Sequence, residues 1–280
     1  MRVCIVGTGR SGTTLLRRLL NGHPDLYVFD ETHWVPKMFE VFGLGRAPID
    51  ELTSIVERTR HVGGARTFEL PVSELVAGAF SDPLVSVREF CDALGSRMAA
   101  AEGKTFWADK TPDYGPYLGM LQTIWPDCRF VHIVRDGRAV ALSMAHHPGF
   151  QWLVAAGETW WVWPSFNEYA TVHQQEDASE LAFLQLWARR LTRIRDEMRR
   201  LAPGTGLEVH FEELCASPIA VLERIASFAR LTAHSGWIAA VGSVVDPSAA
   251  VERQWPEDLP IPEGYRALLA STAGWSPSSL

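Results

Sequence analysis

Residues 3–20 read VCIVGTGRSGTTLLRRLL. A short apolar run with β-branched members ends at Gly7, a loop carrying Gly9 and Gly12 follows, and a helical pattern opens at Thr13. A strand that runs through a glycine-rich turn into a helix N-terminus is a phosphate cradle. Glycines let backbone N–H groups turn toward an anion, and the helix adds the positive end of its dipole. Two spacings overlap here. Gly7-x₄-Gly12 followed by Thr13-Thr14 is a nucleoside-triphosphate loop without its lysine. Gly7-x-Gly9-x-x-Gly12, with Asp30 after the next strand, is a dinucleotide fingerprint. Arg10 adds a charge that does not deprotonate, and Ser11, Thr13 and Thr14 add hydroxyl donors.

The rest of the chain repeats the same alternation. Arg2–Val6, Leu26–Phe29, Thr105–Asp109, Arg129–Val134 and Leu207–Phe211 read as strands. Thr13–Asn21, Val87–Ala101, Pro116–Ile124, Arg138–His146, Leu181–Leu201 and Pro218–Leu231 read as helices. In Leu181–Leu201 the apolar residues recur at three-four spacing, and its six arginines read as a solvated face. Between Trp34 and Ser86 Gly and Pro interrupt short helical patterns. The expectation is one α/β domain over 1–280, with a helical insertion or lid at about 35–100. Alternating strands and helices predict three layers: a mainly parallel sheet with helices on both faces, a P-loop-like nucleotide-binding fold.

Composition narrows the partners. The 280 residues carry a formal net charge of −7, so a nucleic-acid partner is not expected. No run of about 18 apolar residues is present, so no membrane span is expected. The four cysteines, Cys4, Cys91, Cys128 and Cys215, form no C-x-x-C pair, which fits a reducing compartment and no structural metal. With the first strand opening at residue 2, no signal peptide is expected, and the chain reads as cytoplasmic. Whether it forms a homodimer is left open by the sequence.

Ligands of open parallel sheets bind beyond the carboxyl ends of the strands. Those ends carry GTGRSGTT, then Asp30-Glu31-Thr32-His33, then Lys110-Thr111-Pro112, then Arg135-Asp136-Gly137-Arg138. Clustered, they make an anion site with a carboxylate beside it. Arg135 at a strand end and Ser143 on the next helix can converge on one phosphate. A ligand that meets both this pair and the first loop needs two separate phosphate groups. Three readings remain: an NAD(P)-dependent oxidoreductase, a P-loop kinase, or a nucleotide-binding module without catalysis. The missing lysine at Thr13 weighs against the kinase. The short first helix, stopped at Gly22-His23-Pro24, weighs against the oxidoreductase.

GTGRSGTTLLRRLL and FVHIVRDGRAVALS together resemble the two binding signatures of the sulfotransferase superfamily. HPDLYVFDET, ADKTPDYGPYL and VHFEELCASP extend the likeness, in order, to its RSGTT group, which includes tyrosylprotein sulfotransferases and bacterial enzymes. The resemblance implies 3′-phosphoadenosine-5′-phosphosulfate (PAPS) as co-substrate and PAP as product, with no metal. It implies that Arg10, with Ser11, Gly12, Thr13 and Thr14, binds the 5′-phosphosulfate, and that Arg135 and Ser143 bind the 3′-phosphate. It also implies that Lys110 neutralises charge at the bridging oxygen and that Glu31 is the base. His33 is the second candidate base, and a purely structural Glu31, paired with Arg10 or capping a helix, is the alternative reading. Golgi members of the group carry a membrane anchor and disulfides, for which this sequence shows no sign. The expected acceptor is therefore a small molecule or glycan rather than a protein tyrosine.

Further candidates are fewer. The tryptophans at 152, 160, 161 and 163 suit either core packing or an acceptor wall. Trp255 or Arg253 is a candidate nucleotide contact by the same resemblance. His132 reads as a core residue, and His146 and His147 as exposed helix-end residues.

Overall fold

Five parallel strands form the central sheet, in the order β2-β5-β1-β6-β7. They are β1 Val3–Gly7, β2 Leu26–Asp30, β5 Phe106–Lys110, β6 Arg129–Val134 and β7 Gly206–His210. The short strands β3 Arg46–Pro48 and β4 Leu84–Ser86 pair antiparallel in a separate ribbon. The structure is a computed structural model describing residues 1–59, 70–161, 178–241, 244–245 and 255–273.

The sheet is buried on both faces, as its near-continuous apolar strands require. Alternate residues of β1 enter opposite cores. Val3 and Ile5 join Leu16, Leu19 and Leu20 of α1 (Thr13–Asn21). Cys4 and Val6 join Phe90 and Leu94 of α5 (Val87–Ala101). A one-residue slip of β1 would exchange the two sets, so its register is strongly specified. Helix α5 is fixed at its start by a capping box: Ser86 Oγ accepts from Glu89 N–H, and the Glu89 carboxylate accepts from Ser86 N–H.

The stretch with weak sequence signals contains α2 (Trp34–Phe42), α3 (Ile49–Thr59) and α4 (Val72–Leu75). Trp34, Met38, Leu52, Val56 and Val72 share one core with Trp107 of β5 and Phe130 of β6. The expected helix at Pro116–Ile124 begins later. Pro112–Tyr117 is a 3₁₀ turn, and α6 runs only from Leu118 to Ile124. Pro112 and Pro116 lack N–H donors, and Tyr114 N–H reaches back three residues to the Thr111 carbonyl.

On the same face as α5 and α6, α7 (Gly137–Ala145) and α8 (Pro148–Ala155) pack against the long α9 (Glu180–Arg200). Gly137 is required there, because a Cβ would lie 2.6 Å from the Trp187 ring. The opposite core is closed by α10 (Phe211–Ala216), α11 (Pro218–Ala229) and α12 (Ser235–Val241). The last helix, α13 (Glu263–Ala273), brings Leu269 into the α7–α9 core. All four cysteines are buried and unbridged. Among the described residues, no helix is long and apolar enough to cross a membrane.

Candidate active site

The carboxyl edge of the sheet sets out the candidate residues in spatial order. From one side to the other it carries Glu31 after β2, Lys110 closing β5, the loop 7–12 after β1, Arg135 after β6, and Phe211 after β7. Sequence neighbours are dispersed along this edge, and residues a hundred positions apart are brought together.

The loop is a left-handed turn. Gly9, Arg10 and Gly12 have φ of 79°, 57° and 95°. Neither glycine tolerates a side chain: a Cβ on Gly9 would lie 2.5 Å from the Phe150 ring, and one on Gly12 would lie 2.2 Å from Phe211. Ser11 is fully buried and its Oγ fills the space beside Gly7. Its buried hydroxyl has no hydrogen-bond partner among the described residues. Thr13 is buried and Thr14 is exposed at the first turn of α1. The exposed Arg10 donates from Nε to Ser143 Oγ at 3.1 Å. Ser143, grouped with Arg135 in the sequence reading, therefore meets the first loop directly.

Beyond β6 the chain is held from two sides. The Asp136 side chain caps α7, accepting from the N–H groups of Arg138 and Ala139 at 2.9 and 3.2 Å. It also pairs with the Arg138 guanidinium at 3.0 Å. Glu212, just past β7, accepts the Asp136 N–H at 3.0 Å. Burial pushes the Glu212 carboxyl above its ordinary range, against that hydrogen bond and the nearby Arg135 charge. The Arg135 guanidinium lies over the Phe211 ring at 4.3 Å. The same ring packs against Gly12, so Arg135, Phe211 and the loop form one continuous surface.

At the other end, Asp30 and Lys110 are opposite each other in the β2–β5 ladder. The Lys110 side chain is 1% exposed, which excludes a surface lysine. Its Nζ donates to Glu31 Oε1 at 2.6 Å and contacts the Asp30 carboxylate. His33 Nε2 lies 3.7 Å from Glu31 Oε2. Burial raises the Glu31 carboxyl, but the His33 hydrogen bond and the Lys110 charge outweigh it and hold the pKa at about 2. Glu31 and His33 both adopt left-handed backbone, φ 44° and 54°. Such conformations cost a non-glycine residue roughly 1–3 kcal/mol each and gather at functional sites. A buried network holds the segment between them. Thr32 Oγ1 donates to Asp109 at 2.6 Å and lies 2.6 Å from Tyr114 OH, and Thr111 Oγ1 accepts the Thr32 N–H.

Arg190 of α9 lies not on a solvated face, as the helix pattern predicts, but is fully buried and reaches the loop; its guanidinium donates to the Thr8 carbonyl at 3.0 Å. The signal was its position three residues after Trp187 and four before Ile194, on the apolar stripe itself. Trp152 is buried and stacks on Trp161 at 5.3 Å, and Trp160 lies over Arg190. Trp163 and Arg253 fall outside the described residues. Trp255 packs on the α7–α9 core and donates to the Leu259 carbonyl. His147 caps α8 by accepting from Gly149 N–H, and His146 bonds to the Leu142 carbonyl. His132 is a core residue, 3.1 Å from Glu208.

Neither nucleotide alternative fits the topology. In a dinucleotide fold the second strand adjoins the first. Here β5 lies between them, and Asp30 is tied to Lys110 and Arg17. The acidic residue after β6, Asp136, is taken up as a helix cap, where a kinase would need a metal ligand. Away from this edge, His23, Asp25 and His234 lie close together. His23 does not suit a metal: its Nδ1 accepts from Asp25 N–H and its Nε2 bonds to the Thr232 carbonyl.

A family model described as "Sulfotransferase family" matches residues 2–235. Nodulation protein NoeE of Sinorhizobium fredii is 33% identical over 140 residues, covering 50% of this chain and 30% of that protein. A putative protein-tyrosine sulfotransferase of Caenorhabditis briggsae is 23% identical, covering 81% of this chain and 64% of that one. The matches therefore span less than two thirds of each of these relatives. Among solved structures, the sulfotransferase domain from the curacin biosynthetic pathway shares the fold. It has a TM-score of 0.59 at 18% identity, with 98% of this chain and 97% of that one covered.

Proposed function

The chain belongs to the sulfotransferase family, and from that premise we propose that it transfers the sulfuryl group of PAPS to a hydroxyl of a small-molecule or glycan acceptor, releasing PAP. One observation carries the reading: the order Glu31, Lys110, loop 7–12, Arg135 along a single edge. That order suits a donor with its 5′-phosphosulfate on the central loop, its sulfate toward Lys110 and Glu31, and its 3′-phosphate toward Arg135. The Arg10–Ser143 hydrogen bond makes the two anion-binding elements contiguous. The fit is also chemical. The left-handed loop offers backbone donors, and two permanently charged guanidinium groups flank it.

In this reading the acceptor oxygen bonds to sulfur while the sulfur–oxygen bond to the 5′-phosphate breaks. Arg10 and Lys110 stabilise the charge that gathers on the departing oxygen, which is where a loose transition state needs cations. Glu31 takes the acceptor's proton. A carboxylate held at about 2 is ionised but weakly basic. An incoming phosphosulfate competes for Lys110, weakens its hold on Glu31 and raises the carboxylate's proton affinity as the acceptor needs it. The Glu31–Lys110 pair is then a resting state that donor binding opens.

The test is direct transfer. The protein is incubated with ³⁵S-labelled PAPS and a panel of phenols, sterols, oligosaccharides and a tyrosine peptide. Label on a small molecule or glycan supports the reading. Label on the peptide alone would move the acceptor to protein, and hydrolysis without any labelled acceptor would contradict the transferase reading.

A further inference from the structure

Arg190 is the most deeply buried cation of the site and needs a role. Its guanidinium is fully buried and spends its donors on three segments. Nε donates to the Thr159 carbonyl at 2.6 Å, Nη1 to the Thr8 carbonyl at 3.0 Å, and Nη2 to Asp113 Oδ1 at 3.1 Å. The Phe150 ring at 5.2 Å and the Trp160 ring at 4.6 Å pack around it. Burying a charge this completely is costly, and a well-packed apolar residue would often serve stability equally well. What an apolar residue cannot do is hold the Thr8 carbonyl.

That carbonyl decides where the next N–H points. In a trans peptide the C=O and the following N–H are antiparallel. Arg190 draws the Thr8 oxygen inward, so the Gly9 N–H is turned outward to the ligand side of the loop. Gly9 then continues left-handed into Arg10, which makes the concave run of N–H groups that binds anions. The geometry points to Arg190 as a positioning residue of the sulfuryl-transfer site: it aims the Gly9 amide at the 5′-phosphosulfate from below the loop and sets a buried positive charge behind it, without touching the donor. This inference rests on the PAPS reading above. Asp113 balances the charge, and it also accepts the Trp161 N–H at 3.3 Å. The loop, the turn after β5 and the segment after α8 are thereby joined at one guanidinium.

Arg190→Lys retains a cation that cannot serve three acceptors at once, and Asp113→Asn retains the Oδ1 acceptor while removing the counter-charge. PAP affinity is measured calorimetrically at low temperature on protein shown by circular dichroism to be folded. Arg190→Lys is expected to weaken PAP at least tenfold, whereas Asp113→Asn lowers the melting temperature without weakening PAP. A merely structural role would lower both melting temperatures and leave PAP affinity of the folded protein unchanged in both, which would overturn the inference. A second measurement needs no variant. Labelling threonine carbonyls with ¹³C and glycine amides with ¹⁵N selects the two Thr-Gly pairs of the chain, Thr8-Gly9 and Thr205-Gly206. PAP should shift the Gly9 amide strongly and leave Gly206, at the far end of β7, in place. A Gly9 amide that ignores bound PAP would also sink the proposal. Failure of wild-type protein to bind PAP would instead strike the donor assignment itself.

Discussion

Arg10 Nε donates to Ser143 Oγ across 133 residues of sequence, at 3.1 Å. The bond joins the loop after β1 to the helix after β6, the two elements whose sequences most resemble donor-binding signatures. In the proposed function this contact lets one ligand span both elements.

Arg135, over the Phe211 ring, is the candidate for the 3′-phosphate end of the proposed site. Arg135→Ala should weaken PAP by roughly tenfold to a hundredfold, the worth of charge-assisted contacts of about 1.5–3 kcal/mol. It should leave affinity for adenosine 5′-phosphosulfate, which lacks the 3′-phosphate, nearly unchanged. Competition binding with the two nucleotides measures the difference, and an equal loss for both would remove Arg135 from the 3′ end.

Glu31 separates binding from chemistry. Glu31→Gln should keep PAP affinity within a few-fold and lower turnover by about 10²–10⁴, the usual contribution of a positioned base. Paired calorimetry and steady-state kinetics check it. If binding and turnover fall together, Glu31 is architectural, a clamp on Lys110, and His33 becomes the base to test.

The loop should be intolerant of a single methyl group. Gly12→Ala forces φ 95° on a residue with a Cβ and drives that Cβ into Phe211. Left-handed strain alone costs about 1–3 kcal/mol. Melting curves should show the loss, and PAP should no longer stabilise the variant. Adding Phe211→Leu relieves the clash but not the strain, so rescue should be partial.

A pH-dependent term comes from the buried side of β6 and β7. His132 and Arg195 hold Glu208: burial raises its carboxyl, and the hydrogen bonds from both partners, with the Arg195 charge, bring it down to about 2. A carboxylate depressed in the folded state adds stability that is present above its unfolded value near 4.5 and is lost as pH falls toward 2. His132, lowered by burial, acts in the same sense near neutrality: folding weakens as pH falls through its ordinary value. Glu208→Gln should therefore destabilise clearly at pH 7 and progressively less between pH 4 and 2. Denaturant melts at three pH values test this, and a constant penalty would contradict it.

β1, the loop and α1 could be read because apolar runs, glycines and a helix start are local signals. Lys110 and Glu31 could be singled out only by their positions after strands. Their mutual grip depends on β5 inserting between β2 and β1, and no spacing in the sequence encodes strand order. Arg190 was hidden for another reason. A periodic pattern marks which face a helix buries, but it does not say that an arginine on that face has found acceptors. The Thr32–Asp109–Tyr114 network is equally invisible in the sequence, since Thr32 lies 77 and 82 positions from its two partners. The described residues of the weakly patterned stretch from Trp34 to Ser86 form short helices and a two-stranded ribbon, whose lengths are too small for periodicity to register.

In the proposed function one adenosine 3′,5′-bisphosphate spans loop 7–12 and Arg135. Calorimetric titration of the wild-type protein with PAP, in chelator and without divalent metal, tests it most directly. Saturable binding of one PAP per chain is expected, with a thermal stabilisation of roughly 2.7 kcal/mol at a hundred times the dissociation constant. No heat and no stabilisation with PAP, alongside clear binding of NAD or Mg-ATP, would contradict it.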